Sequence, residues 1–232
     1  MFAENSVTSG VEDPAVRSPG MAVIRRPAVV LVRRYYAVTK RILDLSLCLL
    51  LLPAAVPLLL TCAVLVRIDS PGPVWFAQER TGRGGRRFRM YKFRTMCVDA
   101  EARKQELAHL NELTWPDFKI SRDPRITRIG RVLRRTSLDE LPQIINVLKG
   151  DMSLVGPRPT SFHVNTYDLG LTERLEVMPG VTGLWQISGR SNLDLSERLR
   201  LDVRYIEQRC ISLDLEILCR TVVAVFSQRG AC

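Results

Sequence analysis

One apolar run constrains this chain more than any other feature: residues 45–66 carry no charged side chain. About 22 residues at 1.5 Å each reach about 33 Å, just enough to cross a hydrocarbon core of roughly 30 Å. Pro53 and Pro57 interrupt the run. Each removes a helical N–H and crowds the carbonyl four residues earlier, so a helix here should bend sharply near its middle. The two apolar arms, 45–52 and 58–66, then reach only about 12 to 14 Å each, about half a bilayer. Charge adds a second constraint. Arg33, Arg34, Lys40 and Arg41 precede the run, and Arg67, Arg80, Arg83, Arg86 and Arg87 follow it. Basic flanks favour the cytoplasm, and here both flanks are basic. Three arrangements fit: a re-entrant helical hairpin that dips into one leaflet, a kinked full span, and a buried helix of a soluble core. Prolines and flanks together favour the first, with hydroxyls such as those of Thr61 or Ser46 available to the freed backbone groups.

Outside this run the composition is that of a folded domain. Hydrophobic residues make up 46% of the 232, which excludes disorder and fibrous repeats. The formal net charge of +10 calls for an anionic partner. Cys48, Cys62, Cys97, Cys210, Cys219 and Cys232 form no C-x-x-C pair, and His109 and His163 lie near none of them. Zinc and a disulfide framework are therefore not expected, and reduced thiols fit a cytosolic setting. Residues 1–20 are polar and lack the apolar core of a secretory signal, so a loose tail is expected over 1–33.

Beyond residue 69 the spacing predicts a β-hairpin, with strands over 74–77 and 88–94 around Thr81-Gly82-Arg83-Gly84-Gly85. These glycines also admit a phosphate loop or an RNA-binding Arg-Gly-Gly box, although neither G-x-G-x-x-G nor a Walker lysine is present. Residues 99–113 are rich in Ala, Glu, Lys and Leu and predict a helix. Two amphipathic helices are predicted over 193–206 and 212–226, the second opening at Ser212 and Asp214 and closing before Gly230.

The densest stretch is Arg134-Arg135-Thr136-Ser137-Leu138-Asp139-Glu140-Leu141-Pro142-Gln143, leading into a helix. Ser137 and Glu140 have capping-box spacing, so a helix start with two solvated acids is one reading. The other is chemical: a carboxylate beside helix amides and several arginines is held ionised, ready to act as nucleophile or metal ligand. Gly156-Pro157-Arg158-Pro159 fixes the backbone that presents Arg158, which suits a bidentate phosphate clamp or a plain surface turn. In Pro179-Gly180-Val181-Thr182-Gly183-Leu184-Trp185-Gln186-Ile187-Ser188-Gly189-Arg190, Trp185 reads first as packing. No Asp-x-Asp triplet occurs, which argues against an ordinary metal-dependent nucleotide-sugar glycosyltransferase.

Taken in order, Lys40-Arg41-Ile42-Leu43-Asp44, the proline-broken apolar run, Tyr91-Lys92-Phe93-Arg94-Thr95-Met96, the Ser137-to-Gln143 stretch, Gly156-Pro157-Arg158-Pro159 and Pro179-to-Gln186 resemble the bacterial sugar transferase family, the monotopic polyprenyl-phosphate phosphoglycosyl transferases. The resemblance runs from about Arg34 to the C-terminus. It implies an α/β, helix-rich monotopic membrane protein: a re-entrant kinked helix over 34–69 and a small cytosolic catalytic domain over 70–232, with a β-hairpin and interfacial amphipathic helices. It also implies transfer of a hexose-1-phosphate from a UDP-sugar to undecaprenyl phosphate at the cytoplasmic face of the cell membrane, with release of UMP. That step initiates exopolysaccharide or related glycoconjugate assembly and hands its product to downstream glycosyltransferases. In this scheme Asp139 attacks the β-phosphorus in a ping-pong reaction, Glu140 serves the acceptor phosphate, and Asp139 holds Mg²⁺. Lys92, Arg94, Arg134 and Arg158 match family positions that bind or lie near phosphate, with Asp123, Arg125 and Gln143 as further candidates. One departure is Val56, where family members commonly place Ser before the proline; the bend would then rely on Pro53 or Thr61. Larger members carry transmembrane helices ahead of this module, so the chain resembles a minimal catalytic form. Two rival classes remain at this point: an RNA binder, which the apolar run argues against, and a non-catalytic membrane scaffold, which does not need Asp139. No nucleic-acid partner is expected.

Overall fold

The computed structural model describes residues 30–112, 118, 120–161, 172–189 and 193–226, with the backbone alone for 30–34. Residues 1–29 of the expected tail lie outside the described residues, and 30–33 already belong to the first helix. That helix, α1 (Val30–Asp69), runs 40 residues and contains both prolines. Helical backbone continues through both prolines, each of which removes one ladder N–H. The Thr61 hydroxyl donates to the Pro57 carbonyl at 2.9 Å, one turn back along the helix. It does not reach the carbonyls of Leu49 or Pro53, which the prolines deprive of their partners.

One side of α1 docks on the rest of the protein at both ends. Near its start, the fully buried Asp214 accepts from Tyr36 Oη at 2.8 Å, Lys40 Nζ at 3.0 Å and Tyr205 Oη at 2.7 Å. Arg41 donates to the carbonyls of Val147 and Leu148 at 2.6 and 3.1 Å, and Asp44 accepts from the Leu154 amide at 3.2 Å. Near its end, Asp69 accepts from the Ile129 amide at 2.9 Å. Lys40 and Arg41 are thus structural groups as well as flanking charges. Between the two docks Cys48 packs with Phe88, Met90, Val147 and Met152, and Cys62 and Val66 pack with Phe93 and Leu133. Leu49, Leu50, Leu51, Leu60 and Val64 of the same helix are exposed, Leu50 to 74%. Exposed apolar surface of this kind marks a region of contact with an apolar partner, such as a membrane.

Strands β1 (Trp75–Thr81) and β2 (Arg87–Phe93) pair antiparallel, from Trp75 opposite Phe93 to Thr81 opposite Arg87, as the spacing predicts. The glycines between them make a tight turn: Gly84 has φ 65° and Gly85 φ 78°, conformations that L side chains rarely adopt. The predicted helix over 99–113 is reduced to α2 (Arg103–Glu106) and a 3₁₀ turn at Ala108–Leu110; residue 113 lies outside the described residues. Neither piece buries a residue, and propensity without a buried face does not sustain a helix of this length.

Helix α3 (Arg128–Thr136) is capped by Thr127, whose hydroxyl accepts from the Gly130 amide at 3.0 Å. Gly130 is required by contact, since a Cβ there would lie 2.1 Å from the Thr95 carbonyl oxygen. After α4 (Gln143–Lys149), β3 (Ser153–Val155) pairs parallel with β4 (Gly180–Thr182). Helices α5 (Leu184–Ser188), α6 (Leu195–Gln208) and α7 (Ile211–Phe226) complete the described chain. The last two match the predicted amphipathic pair within two residues. Asp194 and Glu197 form the capping box of α6. Asp214, expected near the opening of α7, is instead consumed by the dock with α1, and Gly230 lies outside the described residues. Val155, Tyr205, Ile206 and Ile217 form the core between β3, α6 and α7. Among the described residues the result is a helix-rich fold with two small two-stranded sheets and one long apolar helix.

Candidate active site

The site is built on β2, whose free edge is held by a helix. Asn146 on α4 is fully buried; its Nδ2 donates to the Arg89 carbonyl at 2.7 Å and its Oδ1 accepts from the Tyr91 amide at 3.0 Å. One side-chain amide thus satisfies the strand as a neighbouring strand would. The next residue, Lys92, is fixed in register and reaches Glu140 Oε1 at 2.8 Å.

Glu140 lies in an elbow between α3 and α4. Ser137 ends α3 in the left-handed region (φ 59°), a 3₁₀ turn follows over Leu138–Glu140, and α4 begins at Gln143 after Pro142. The capping-box reading is therefore overturned: the Ser137 side chain makes no cap bond, because its residue closes one helix rather than opening the next. Such a backbone in a non-glycine residue is unfavourable and is found preferentially at functional sites. Leu138 anchors the elbow by packing against the Phe93 and Leu133 cluster.

Arg158, presented by Pro157 and Pro159, completes the arrangement from the loop after β3. Its Nη1 donates to Glu140 Oε2 at 3.1 Å, and its Nη2 donates to Oε1 in a fork. Burial alone would raise the Glu140 carboxyl, but Arg158 and then Lys92 outweigh it and hold the group well below the usual carboxylate range. Lys92 is lowered by its own burial, against the pull of Glu140. Arg158 is raised, chiefly by the Glu140 charge.

Asp139 differs from its neighbour. It is half-buried, and among the described residues its carboxylate is influenced by neighbouring charges but by no hydrogen bond. Burial raises it; Lys92 lowers it, Glu140 adds to the rise, and Arg134 and Arg158 lower it by smaller amounts. The expectation that surrounding arginines hold these acids ionised applies to Glu140, while Asp139 is displaced the other way because no cation bonds it directly. Arg134 is held by Thr95, its Nε donating to Oγ1 at 2.9 Å.

The structure brings Lys92, Asp139, Glu140, Arg134 and Arg158 together. Arg94 is placed elsewhere: its guanidinium donates to the carbonyls of Pro71 and Ser70 and to the Ser70 hydroxyl at 2.7 to 2.8 Å, tying β2 to the end of α1. Asp123 and Arg125 form a buried fork of their own, with Nε to Oδ1 at 2.9 Å and Nη2 to Oδ2 at 2.6 Å. Among the described residues they couple to the site through the charge of Arg134 on Asp123. Gln143 lies beneath the elbow, 1% exposed, with Nε2 lacking a hydrogen-bond partner. Trp185 has the Arg198 guanidinium over its ring at 5.6 Å, which agrees with packing, while Arg190 lies outside the described residues. Sequence reasoning missed Asn146, Arg174 and Asp202, and it quoted Thr95 within the Tyr91-to-Met96 motif without giving it a role. Asp202 left a trace as an acid on the same helical stripe as Tyr205 and Ile206.

No cluster of three or more metal-ligating side chains occurs among the described residues. Mg²⁺ does not need one, since it commonly takes one or two carboxylates together with phosphate oxygens and water. The open Asp139 carboxylate fits that mode, whereas both Glu140 oxygens are already engaged.

Known proteins resemble this chain over most of its length. The profile described as bacterial sugar transferase matches residues 35–228. The galactosyl transferase CpsE of Streptococcus agalactiae is 46% identical over 205 residues, which cover 84% of this chain and 44% of that protein. The exopolysaccharide production protein ExoY of Sinorhizobium fredii is 37% identical over 205 residues, covering 86% of this chain and 91% of ExoY. The undecaprenyl-phosphate galactose phosphotransferase of Salmonella typhimurium is 41% identical over 206 residues, with 87% of this chain and 43% of that protein covered. The chain therefore spans less than half the length of two of these relatives and nine tenths of the third. With its profile matched over most of its length and such relatives on either side, this chain belongs to the bacterial sugar transferase family.

Proposed function

We propose that this protein transfers a hexose-1-phosphate from a UDP-sugar to undecaprenyl phosphate at the cytoplasmic face of the membrane and releases UMP. The observation that carries the reading is the contrast within the acidic pair. Glu140 is clamped by Lys92 and Arg158, while Asp139, one residue away, has no hydrogen-bond or ion-pair partner among the described residues and feels the charges of Lys92, Arg134 and Arg158. A carboxylate without hydrogen bonds is the better nucleophile, and the cations around it suit an anionic donor and an anionic acceptor.

In the first half-reaction an Asp139 oxygen attacks the β-phosphorus of the donor. The bond from that phosphorus to the oxygen bridging to UMP breaks, UMP leaves with the electron pair, and the phosphosugar remains on Asp139 as an acyl phosphate. Lys92, Arg134 and Arg158 balance the charge on the phosphoryl oxygens. In the second half-reaction an oxygen of undecaprenyl phosphate attacks the same phosphorus, the Asp139 carboxylate is restored, and a diphosphate-linked sugar departs. Glu140 orients the acceptor phosphate through the cations it holds. When bound at Asp139, Mg²⁺ would neutralise the diphosphate. The lipid product suits downstream glycosyltransferases that extend it.

Topology follows the same logic. Residues 36–44 and residue 69 of α1 bond the same catalytic body, so both flanks of the apolar run belong on one side of a bilayer. This supports a monotopic attachment in which the exposed Leu stripe enters one leaflet, and with it the arrangement of a membrane segment over 34–69 and a catalytic domain over 70–232. Assaying UMP release from UDP-hexoses in the presence of undecaprenyl phosphate tests the activity. Wild-type release together with loss in Asp139→Asn supports the reading, and equal release by Asp139→Asn refutes it.

A further inference from the structure

Behind Arg158 lies a second ion pair that the proposed chemistry does not use. Arg174, in the 3₁₀ turn Glu173–Glu176, donates from Nη2 to the Arg158 carbonyl at 2.6 Å. The same nitrogen stands 2.9 Å from Asp202 Oδ2 on α6, with the Arg174 side chain 10% exposed and that of Asp202 1%. The angles leave both Asp202 oxygens and Arg174 Nε without a full hydrogen bond. Desolvating two charges costs more than such geometry returns, so stability is a poor explanation for the pair. Its effect is geometric: it ties the peptide between Pro157 and Pro159 to α6, while the guanidinium of the same Arg158 forks onto Glu140.

We infer that Arg174, anchored by Asp202, is a positioning residue that holds the Arg158 peptide so that its guanidinium stays aligned on Glu140 and on the donor diphosphate. The assignment rests on the proposed function for its catalytic consequence but not for its geometry. A lysine would not replace Arg174, because one nitrogen must face a carbonyl and a carboxylate in fixed directions. Misplacing a phosphate-binding group by about 1 Å is enough to lower a rate on the order of a hundredfold.

The test combines two readouts on Arg174→Gln, Arg174→Lys and Asp202→Asn in the full chain. First, hydrogen exchange at the Arg158 and Thr160 amides should rise in Arg174→Gln and Asp202→Asn; exchange identical to wild type overturns the inference whatever reaction the protein catalyses. Second, in UMP release from a UDP-hexose, Arg174→Gln should lower kcat/KM about tenfold to a hundredfold alone, but less than about twofold when Arg158 is already Lys, because the two act through one guanidinium. Equal losses in both backgrounds would mean a general structural role and overturn it. Should Arg174→Gln not fold, Arg174→Lys and Asp202→Asn carry the same cycle. A wild type that releases no UMP refutes the proposed function and leaves the exchange result to decide the brace.

Discussion

Replacing Asp214 by Leu removes the acceptor that docks α1 onto the catalytic body. Its carboxylate is fully buried and takes bonds from Tyr36 at 2.8 Å, Tyr205 at 2.7 Å and Lys40 at 3.0 Å. The two phenols keep alternatives, since Tyr205 also donates to the Val155 carbonyl at 3.2 Å and lies 3.3 Å from Tyr36 Oη. Lys40 does not: its side chain is 11% exposed and its other carboxylate, Asp44, is 3.9 Å away. Breaking one side of a buried pair costs about 3–5 kcal/mol, and the distant Asp44 argues for the lower end. At about 2–4 °C per kcal/mol for a chain of this size, the melting temperature should fall by roughly 6–12 °C. The assay is thermal unfolding followed by circular dichroism in detergent micelles. Changing Lys40 to Met as well should recover most of the loss, because no charge is then left buried and unpaired. As a control, Glu216→Gln breaks the exposed pair with Arg220, 64% and 49% exposed, and should cost only about 0.3–0.5 kcal/mol. If Asp214→Leu melts as close to wild type as Glu216→Gln, the dock is not what holds α1 in place.

Asn146→Leu should destabilise the protein by about 2 kcal/mol or more, since it strands the Arg89 carbonyl and the Tyr91 amide; faster hydrogen exchange at Tyr91 localises the effect. Burial, opposed by Arg174, pushes the Asp202 carboxyl up from 3.8 to about 6. The folded state therefore binds this proton more tightly than the unfolded chain. Ionised Asp202 then costs about 3 kcal/mol at neutral pH, and the cost is relieved as the pH falls through 6 toward 4. Asp202→Asn lacks this dependence, so its melting temperature relative to wild type should be higher at pH 7.5 than at pH 5; equal differences would contradict the assignment. In a cysteine-free background, single cysteines at Tyr35 and Arg83, both exposed, should resist an impermeant reagent on intact cells and react after lysis. Labelling of either on intact cells would place that flank outside.

Much of this was legible in the sequence because it depends on local patterns. The short strands around Thr81-Gly82-Arg83-Gly84-Gly85 specified the hairpin, and the amphipathic patterns over 193–206 and 212–226 specified α6 and α7 to within two residues. The order of the Asp-Glu pair and Pro157-Arg158-Pro159 pointed to the site. What failed depends on contacts distant in sequence. Ser137 and Glu140 have the spacing of a capping box, but the strong stop of α3 and the proline before α4 decide the backbone between them. Arg94 has the strand parity of Lys92, yet the carbonyls of Ser70 and Pro71 capture it first. Lys40 and Arg41 read as membrane-flanking charges until α4 and α7 supply their partners. Asn146 carries no motif at all; its role exists only because α4 lies against the open edge of β2.

In the proposed reaction Asp139 carries the phosphosugar between donor and acceptor. Incubating the protein with a UDP-hexose labelled in the sugar, without undecaprenyl phosphate, and mapping the label by peptide mass spectrometry tests it most directly. About one equivalent of UMP per active site is expected, with label on the peptide containing Asp139, its discharge on adding undecaprenyl phosphate, and no label in Asp139→Asn. Label on another residue, or UMP release that strictly requires the lipid acceptor, would contradict it.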